Sequence, residues 1–373
     1  GAVAVHAGEQ DLAGAVLGHL ARPGHRIQGH GQQVERCTSC NGLWFDDAEL
    51  SQAIVHGSEL TDPYCVKNSF GEKLAQHQYH CHRCNSKMQQ YHLLKDYQVT
   101  IDNCRRCNGI WVDGDEAGQV LAAPKLQAAL TVLNQKVCAK SWLFQFFTQM
   151  PKEYNIKPHR TPLMTWSLLA LNILIFILYG FDNNATDWTF RYFALDSLTL
   201  FPGQQWWTLL SYQFLHGGVL HLIGNMYFLW IIGDNLEDAL GPWKFLAVYL
   251  FCGVVAAVAE LLACYLVNRD LLMVGASGAV AGLFGMYLLW FRHASLTFMF
   301  IVWQKKLNPA WYFAIWAVMN IIGLLSEDLS VAYWAHLGGL VAGLAVGLAL
   351  KQKVMAQNPL LQLLQRPEAR ILR

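Results

Sequence analysis

The feature that most constrains this chain is a series of six apolar stretches, at roughly 163–180, 207–232, 243–267, 276–291, 308–325 and 331–350. Most approach the length, about 20 residues, at which a helix crosses the hydrocarbon core of a bilayer. With 54% hydrophobic and 14% charged residues among 373, the chain is too apolar for ordinary surface chemistry in water. Lipid leaves no partner for an exposed peptide group, so the expected fold class is an all-α polytopic membrane protein with six spans. Residues 1–160 are instead polar and rich in His and Cys, which calls for a second, aqueous domain. The segment Leu296 to Val302 is too short to span and reads as an interfacial piece or an extension of the fourth helix.

Orientation follows from the basic residues. Lys152, Lys157 and Arg160 precede the first stretch, Lys244 opens the third, and Arg292, Lys305 and Lys306 separate the fourth from the fifth. Lys351, Lys353, Arg366 and Arg370 follow the sixth, whereas the alternate connections carry only Arg191 and Arg269. Both termini are therefore expected in the cytoplasm, with a bacterial inner membrane as the setting. No basic, apolar, small-residue leader opens the chain, so no signal peptide is expected and Gly1 reads as a fragment boundary. Between the first two stretches, Trp188, Phe190, Tyr192, Phe193, Leu198 and Phe201 point to a connection partly immersed in the outer leaflet.

Seven of the ten cysteines lie before residue 110, six of them in Cys-x-x-Cys pairs, a pattern of metal thiolates in a reducing compartment. The run Cys37-Thr-Ser-Cys40-Asn-Gly-Leu-Trp-Phe-Asp46 to Glu49 is echoed by Cys104-Arg-Arg-Cys107-Asn-Gly-Ile-Trp-Val-Asp113 to Glu116. In the second copy Cys81 and Cys84 supply the upstream pair, and four cysteines can close a tetrahedral cage around structural zinc. The first copy has no such pair, since Asp11 to His19 contains no cysteine. Either Cys37 and Cys40 recruit His25, His30 or Cys65, or this copy has lost its metal. Both copies resemble TFIIB-type zinc ribbons, a fold widely used as an interaction module. A cytoplasmic protein partner for it is an expectation, and nucleic acid is not, because the net charge is +1 and no dense basic patch appears. The expected division is 1–117 duplicated ribbon, 118–160 amphipathic juxtamembrane linker, 161–350 membrane domain and 351–373 basic cytoplasmic tail. In the linker, Trp142, Leu143, Phe144, Phe146 and Phe147 beside Lys136, Lys140 and Lys152 suit a helix at the membrane interface or a dimer contact.

The chemistry concentrates in three stretches. His216, His221 and Asn225 stand in the second, the last two at i and i+4 on one helix face. Imidazole and amide groups inside a membrane helix mark a polar cavity. Ser277 sits between Gly275 and Gly278 in a stretch expected to be irregular, at the head of small residues Gly278, Ala281, Gly282 and Gly285. The sixth stretch has its own stripe, Gly339, Gly343 and Gly347, one turn after His336. If the stripes pack, His336 reaches Ser277 and can take its proton. Backbone N–H groups near Ser277, with His221 and Asn225, can stabilise an oxyanion. Glu260, a carboxylate inside the third stretch, is expected to bond neighbouring polar groups, which leaves a Ser-His dyad.

Gly-Ala-Ser277-Gly, His221-x-x-x-Asn225 preceded by His216, Glu237-x-x-x-Gly241 and Ala-His336-x-x-Gly339-x-x-x-Gly343 together resemble the rhomboid family of intramembrane serine proteases. The resemblance implies a six-helix bundle, Ser277 as nucleophile, His336 as base, and His221 and Asn225 around the oxyanion. It also implies His216 in a structural hydrogen bond and cleavage of single-pass membrane substrates near their outer ends. Two positions depart from the family pattern. Trp207 is followed by Thr208 rather than arginine, and Ala281 stands where an aromatic often packs on the histidine. A catalytically silent, client-binding relative and a metal-responsive membrane adaptor are the alternative readings.

Overall fold

The computed structural model describes residues 25–371, apart from 30–31, 39, 47–48, 59–69, 95–96, 136–138, 149, 155–157, 159, 201–202, 301, 326–330, 367–368 and 370. Asp11 to His19, His30, Cys65, Lys136, Lys157, Phe201 and Arg370 lie outside the described residues, as does the side chain of His25. The chain forms two compact units, one of Gly1–Asn134 with Leu363–Leu372 and one of Gln135–Gln362 with Arg373.

The first unit is the expected aqueous domain, and its core structure is β. Its frame is a seven-stranded antiparallel sheet in the order β1-β2-β3-β7-β6-β5-β4. The strands are β1 (His25–Gly29), β2 (Gln32–Arg36), β3 (Leu43–Phe45), β4 (Lys73–His80), β5 (Lys87–Leu94), β6 (Tyr97–Cys104) and β7 (Ile110–Val112). The same unit includes helices α1 (Glu49–Ser58) and α2 (Ala123–Leu133), the latter preceded by a short helix at Ala117–Leu121. Each Cys-x-x-Cys pair makes the same knuckle. The first cysteine's N–H donates to the carbonyl five residues on, and the asparagine after the pair takes a left-handed conformation: Asn41 (φ 59°), Asn85 (φ 52°) and Asn108 (φ 59°). Asparagine tolerates that region better than other non-glycine residues. The first copy therefore keeps the knuckle whatever its metal status.

The repeated Gly-x-Trp-x-Asp has a physical cause. β3 and β7 pair antiparallel with Trp44 opposite Trp111, and each indole N–H donates to the aspartate two residues on, Asp46 at 3.0 Å and Asp113 at 2.8 Å. A Cβ at Gly42 would lie 2.1 Å from the Trp111 ring, and one at Gly109 would lie 2.1 Å from the Trp44 ring. Each copy's tryptophan thus occupies the space that the other copy's glycine leaves. The C-terminal segment also joins this unit, with Ala369 bridging to Tyr97.

The second unit is mostly helical: α3 (Ala139–Thr148), α4 (Leu163–Tyr179), α5 (Asn183–Phe193), α6 (Val219–Leu240), α7 (Pro242–Leu266), α8 (Ser277–Trp290), α9 (Pro309–Leu325) and α10 (Tyr333–Gln357). By length and composition α7 and α10 can each cross a membrane. Thr208–Phe214 with α6 makes a third such span if counted together, but it bends by 95° around His216-Gly217-Gly218 rather than running straight. Helices α4, α8 and α9 are apolar and shorter.

Local chemistry sets the helix ends. Pro162 offers α4 no side-chain cap, and Glu237 from α6 takes that role. Its carboxylate accepts the Met164 and Thr165 N–H groups at 2.9 and 2.7 Å and the Thr165 hydroxyl at 2.8 Å. Gly241 (φ +79°) then ends α6, which accounts for the Glu237-x-x-x-Gly241 spacing. In the connection before α6, the Trp207 indole donates to the Tyr192 carbonyl at 2.9 Å and the Ser211 hydroxyl to that of Phe193 at 2.7 Å. These bonds pack the loop without an arginine at position 208.

Leu296 to Val302 does not extend α8, because Ser295–Phe300 is a strand. Strand β9 (Ser295–Phe300) pairs with β10 (Trp303–Leu307) and with β8 (Lys152–Tyr154), and α3 lies against this sheet through Gln145 Nε2 to the Thr297 carbonyl at 2.9 Å. Helix α10 runs to Gln357, past the expected end at 350, and a short helix follows at Pro359–Leu364.

Candidate active site and metal centre

Helices α8 and α10 approach backbone to backbone. A Cβ at Gly339 would lie 2.0 Å from the Gly278 carbonyl oxygen, and one at Gly343 would lie 1.8 Å from that of Gly282. At Gly278 a Cβ would meet Ala256 of α7 at 2.5 Å. This contact brings together the two residues that the glycine stripes flank: Ser277 Oγ and His336 Nε2 are 2.8 Å apart. Ser277 is the first residue of α8, so the irregular backbone is confined to Gly275 (φ +132°) just before it. No side chain caps α8, which leaves its first N–H groups free to bind negative charge beside the serine.

His221 borders Gly275, where a Cβ would fall 2.8 Å from its Nε2. Its Nδ1 accepts the Gly217 N–H at 3.4 Å, so the ring proton belongs on Nε2, on the side of Gly275. Asn225 is buried, and one of its amide hydrogens goes to the His221 carbonyl at 3.1 Å, leaving the other. His216 is buried with its ring 5.2 Å from that of His221. Its main chain, not its ring, makes the hydrogen bonds here: its N–H donates to Tyr179 Oη at 2.6 Å and its carbonyl accepts from the same hydroxyl at 2.8 Å. Glu260 accepts from Arg269 at 3.1 Å and from the Ala335 N–H at 2.9 Å. It thus anchors the first turn of α10, next to His336, without joining the dyad.

In the first unit, Cys81, Cys84, Cys104 and Cys107 place their sulfur atoms within 4.8 Å of one another, with Cys81–Cys107 at 3.5 Å and Cys84–Cys104 at 3.3 Å. Zinc–sulfur bonds of about 2.3 Å in a tetrahedron require sulfurs about 3.8 Å apart, so the four thiols fit such an ion. The Ser86 hydroxyl lies 2.9 Å from Cys84 Sγ and 3.1 Å from Cys104 Sγ. Its hydrogen bond lowers the Cys84 thiol to about 6, whereas burial pushes Cys81 up. Cys37 is buried beside this cluster and Cys40 is exposed; among the described residues neither belongs to a group of three ligands.

Residues 203–353 match the Rhomboid domain family, and residues 80–123 match a transcription-factor zinc-finger family of the TFIIB ribbon type. Rhomboid protease GluP of Bacillus subtilis is 31% identical over 138 residues, 37% of this chain and 26% of GluP. RHOMBOID-like protein 6, mitochondrial, of Arabidopsis thaliana is 33% identical over 158 residues, 42% of this chain and 48% of that protein. Putative rhomboid protease YdcA of Bacillus subtilis is 30% identical over 151 residues, which cover 40% of this chain and 69% of YdcA. The chain belongs to the rhomboid family. It spans about a quarter of GluP and about half of the Arabidopsis relative. Because rhomboid relatives come from a bacterium, a plant and Toxoplasma gondii, membership does not single out a bacterial membrane.

This rhomboid chain also holds two residues at the histidine that the sequence reading does not single out. Asn320 of α9 is buried, with its Oδ1 2.7 Å from His336 Nδ1. Trp316, one turn earlier, places its ring 5.6 Å from the His336 ring at 40°. Ala281 on α8 is fully buried and small, and the aromatic contacts come from Trp316 of α9 and, at 6.5 Å edge-on, from Tyr333 of α10. The available signal was Trp316-x-x-x-Asn320 itself, an amide inside an apolar stretch one turn after a tryptophan.

Proposed function

We propose that this chain is an intramembrane serine endopeptidase that cleaves single-pass membrane proteins near the outer face of the bilayer. The observation that carries the reading is the 2.8 Å hydrogen bond between Ser277 Oγ and His336 Nε2. Ser277 attacks the substrate carbonyl while its proton passes to His336 Nε2, and the imidazolium then protonates the leaving amine. Water admitted to the site hydrolyses the resulting ester with His336 as base. The first N–H groups of α8, His221 Nε2–H and the second Asn225 amide hydrogen face the developing oxyanion, each donor worth about 3–4 kcal/mol.

Six spans are the reading for α4, the bent pair ending in α6, and α7 to α10. The 14 residues of α8 rise only about 21 Å, but most of that helix is buried within protein, so lipid does not set its length. The basic connections argue for both ends in the cytoplasm, and the presence of Leu363–Leu372 in the ribbon unit supports one side for both. Cys81, Cys84, Cys104 and Cys107 hold structural zinc there, and the ribbon regulates the protease or binds a cytoplasmic adaptor. Ribbon deletion with unchanged cleavage in cells would count against that role.

The test is cleavage of a model transmembrane substrate by purified protein. Ser277→Ala and His336→Ala should each lower turnover by at least about 1,000-fold, and a fluorophosphonate should label wild type but not Ser277→Ala. Equal cleavage by either variant overturns the mechanism. An unlabelled, inactive wild type that still binds membrane clients points to the silent relative.

A further inference from the structure

A serine–histidine pair works only if the histidine presents a lone pair, not a proton, to the hydroxyl. Which nitrogen carries the proton is set by what the other one faces. Here that partner is Asn320, and its amide could in principle turn either face to the ring. A second bond removes the ambiguity: Asn320 Nδ2 donates to the Trp316 carbonyl one turn back, at 2.7 Å. The amide oxygen must then face His336, and at 2.7 Å from Nδ1 it can only accept. The proton is thereby placed on Nδ1, and the Nε2 lone pair points at Ser277 Oγ, 2.8 Å away. Trp316 also sets its ring 5.6 Å from the imidazole at a 40° tilt, so a single turn of α9 meets both Nδ1 and the ring of His336.

We infer that Asn320 is the positioning residue of the base, held in the productive amide orientation by the Trp316 carbonyl, so that Ser277, His336 and Asn320 form a hydrogen-bonded chain without a carboxylate. Asn320 touches neither substrate nor the reacting atoms; it acts through His336. An uncharged acceptor has a particular consequence: it selects the tautomer but stabilises the imidazolium less than an anion would. The inference rests on the protease reading proposed above.

The experiment measures kcat and KM against pH for Asn320→Leu and Asn320→Asp in the purified full chain, with Ser277→Ala and His336→Ala alongside. Asn320→Leu keeps the branched side-chain shape and removes the acceptor, so kcat should fall about 10- to 100-fold with KM within about twofold, and the rate of fluorophosphonate labelling should fall with it. Asn320→Asp restores the acceptor and adds charge, so it should recover most of that kcat while moving the acid limb of the profile to higher pH. Should Asn320→Leu fail to fold, the upward shift in Asn320→Asp decides alone. A wild-type kcat in Asn320→Leu, or an unmoved acid limb in Asn320→Asp, overturns the inference. If both fall short while Ser277→Ala and His336→Ala are inactive, only Asn320 loses its role; activity in either control removes the protease reading itself.

Discussion

Glu116, at the end of the second ribbon motif, illustrates how one side chain carries a measurable consequence. Burial and the nearby Asp113 push its carboxyl from the ordinary 4.5 up to about 7, although the Thr100 hydroxyl donates to it at 3.2 Å. A carboxyl raised on folding favours the folded state while protonated; its contribution is full below about 4.5 and is lost as the pH rises past about 7. The zinc-saturated protein should therefore protect the amides of β6 and β7 less at pH 8 than at pH 6. Glu116→Gln should flatten that difference, as hydrogen exchange would show. At the same scale, Ser277, His336, His221 and Asn225 could be singled out because each sits in a short motif with neighbours of fixed type. Asn320 could not. Its meaning lies in two bonds, to Trp316 and to His336, and the second partner is 16 residues away on another helix.

Among the elements, the α8–α10 contact is the one whose geometry the site needs most. Backbone oxygens occupy the space where side chains would begin, and backbone cannot rotate away as a leucine can. Gly343→Ala should destabilise the second unit by about 3 kcal/mol and reduce cleavage, whereas Gly224→Ala, with nothing within 4 Å, should be neutral or stabilising by about 0.5–1 kcal/mol. Thermal unfolding in detergent compares the two. The stripes that make this contact were legible because small residues at helical spacing are a periodic signal. The β8-β9-β10 sheet was not, because its strands are short and β8 lies about 140 residues before its partner, so no local pattern announces the pairing. The bend before α6 was hidden for a related reason: apolar residues continue on both sides of His216-Gly217-Gly218, and only the broken helix reveals a corner.

For the molecule as a whole, metal content is the decisive measurement on the first unit. About one zinc per chain is expected, lost in Cys81→Ser and Cys104→Ser, with chelation lowering the protection of β5 to β7; metal-free protein with an intact sheet would sink the zinc reading. Composition divided the chain into an aqueous and a membrane part because lipid and water select different residues, but it could not show that the C-terminal segment rejoins the ribbons. Nor could it show why the first copy, which carries a single Cys-x-x-Cys pair, has kept its glycine, tryptophan and aspartate. Trp44 over Gly109 and Trp111 over Gly42 supply the reason. The two halves are each other's missing side chains, so neither is a portable cassette. Excising either ribbon leaves a naked indole beside an empty slot, and drift in one copy must be matched in the other for the sheet between them to survive.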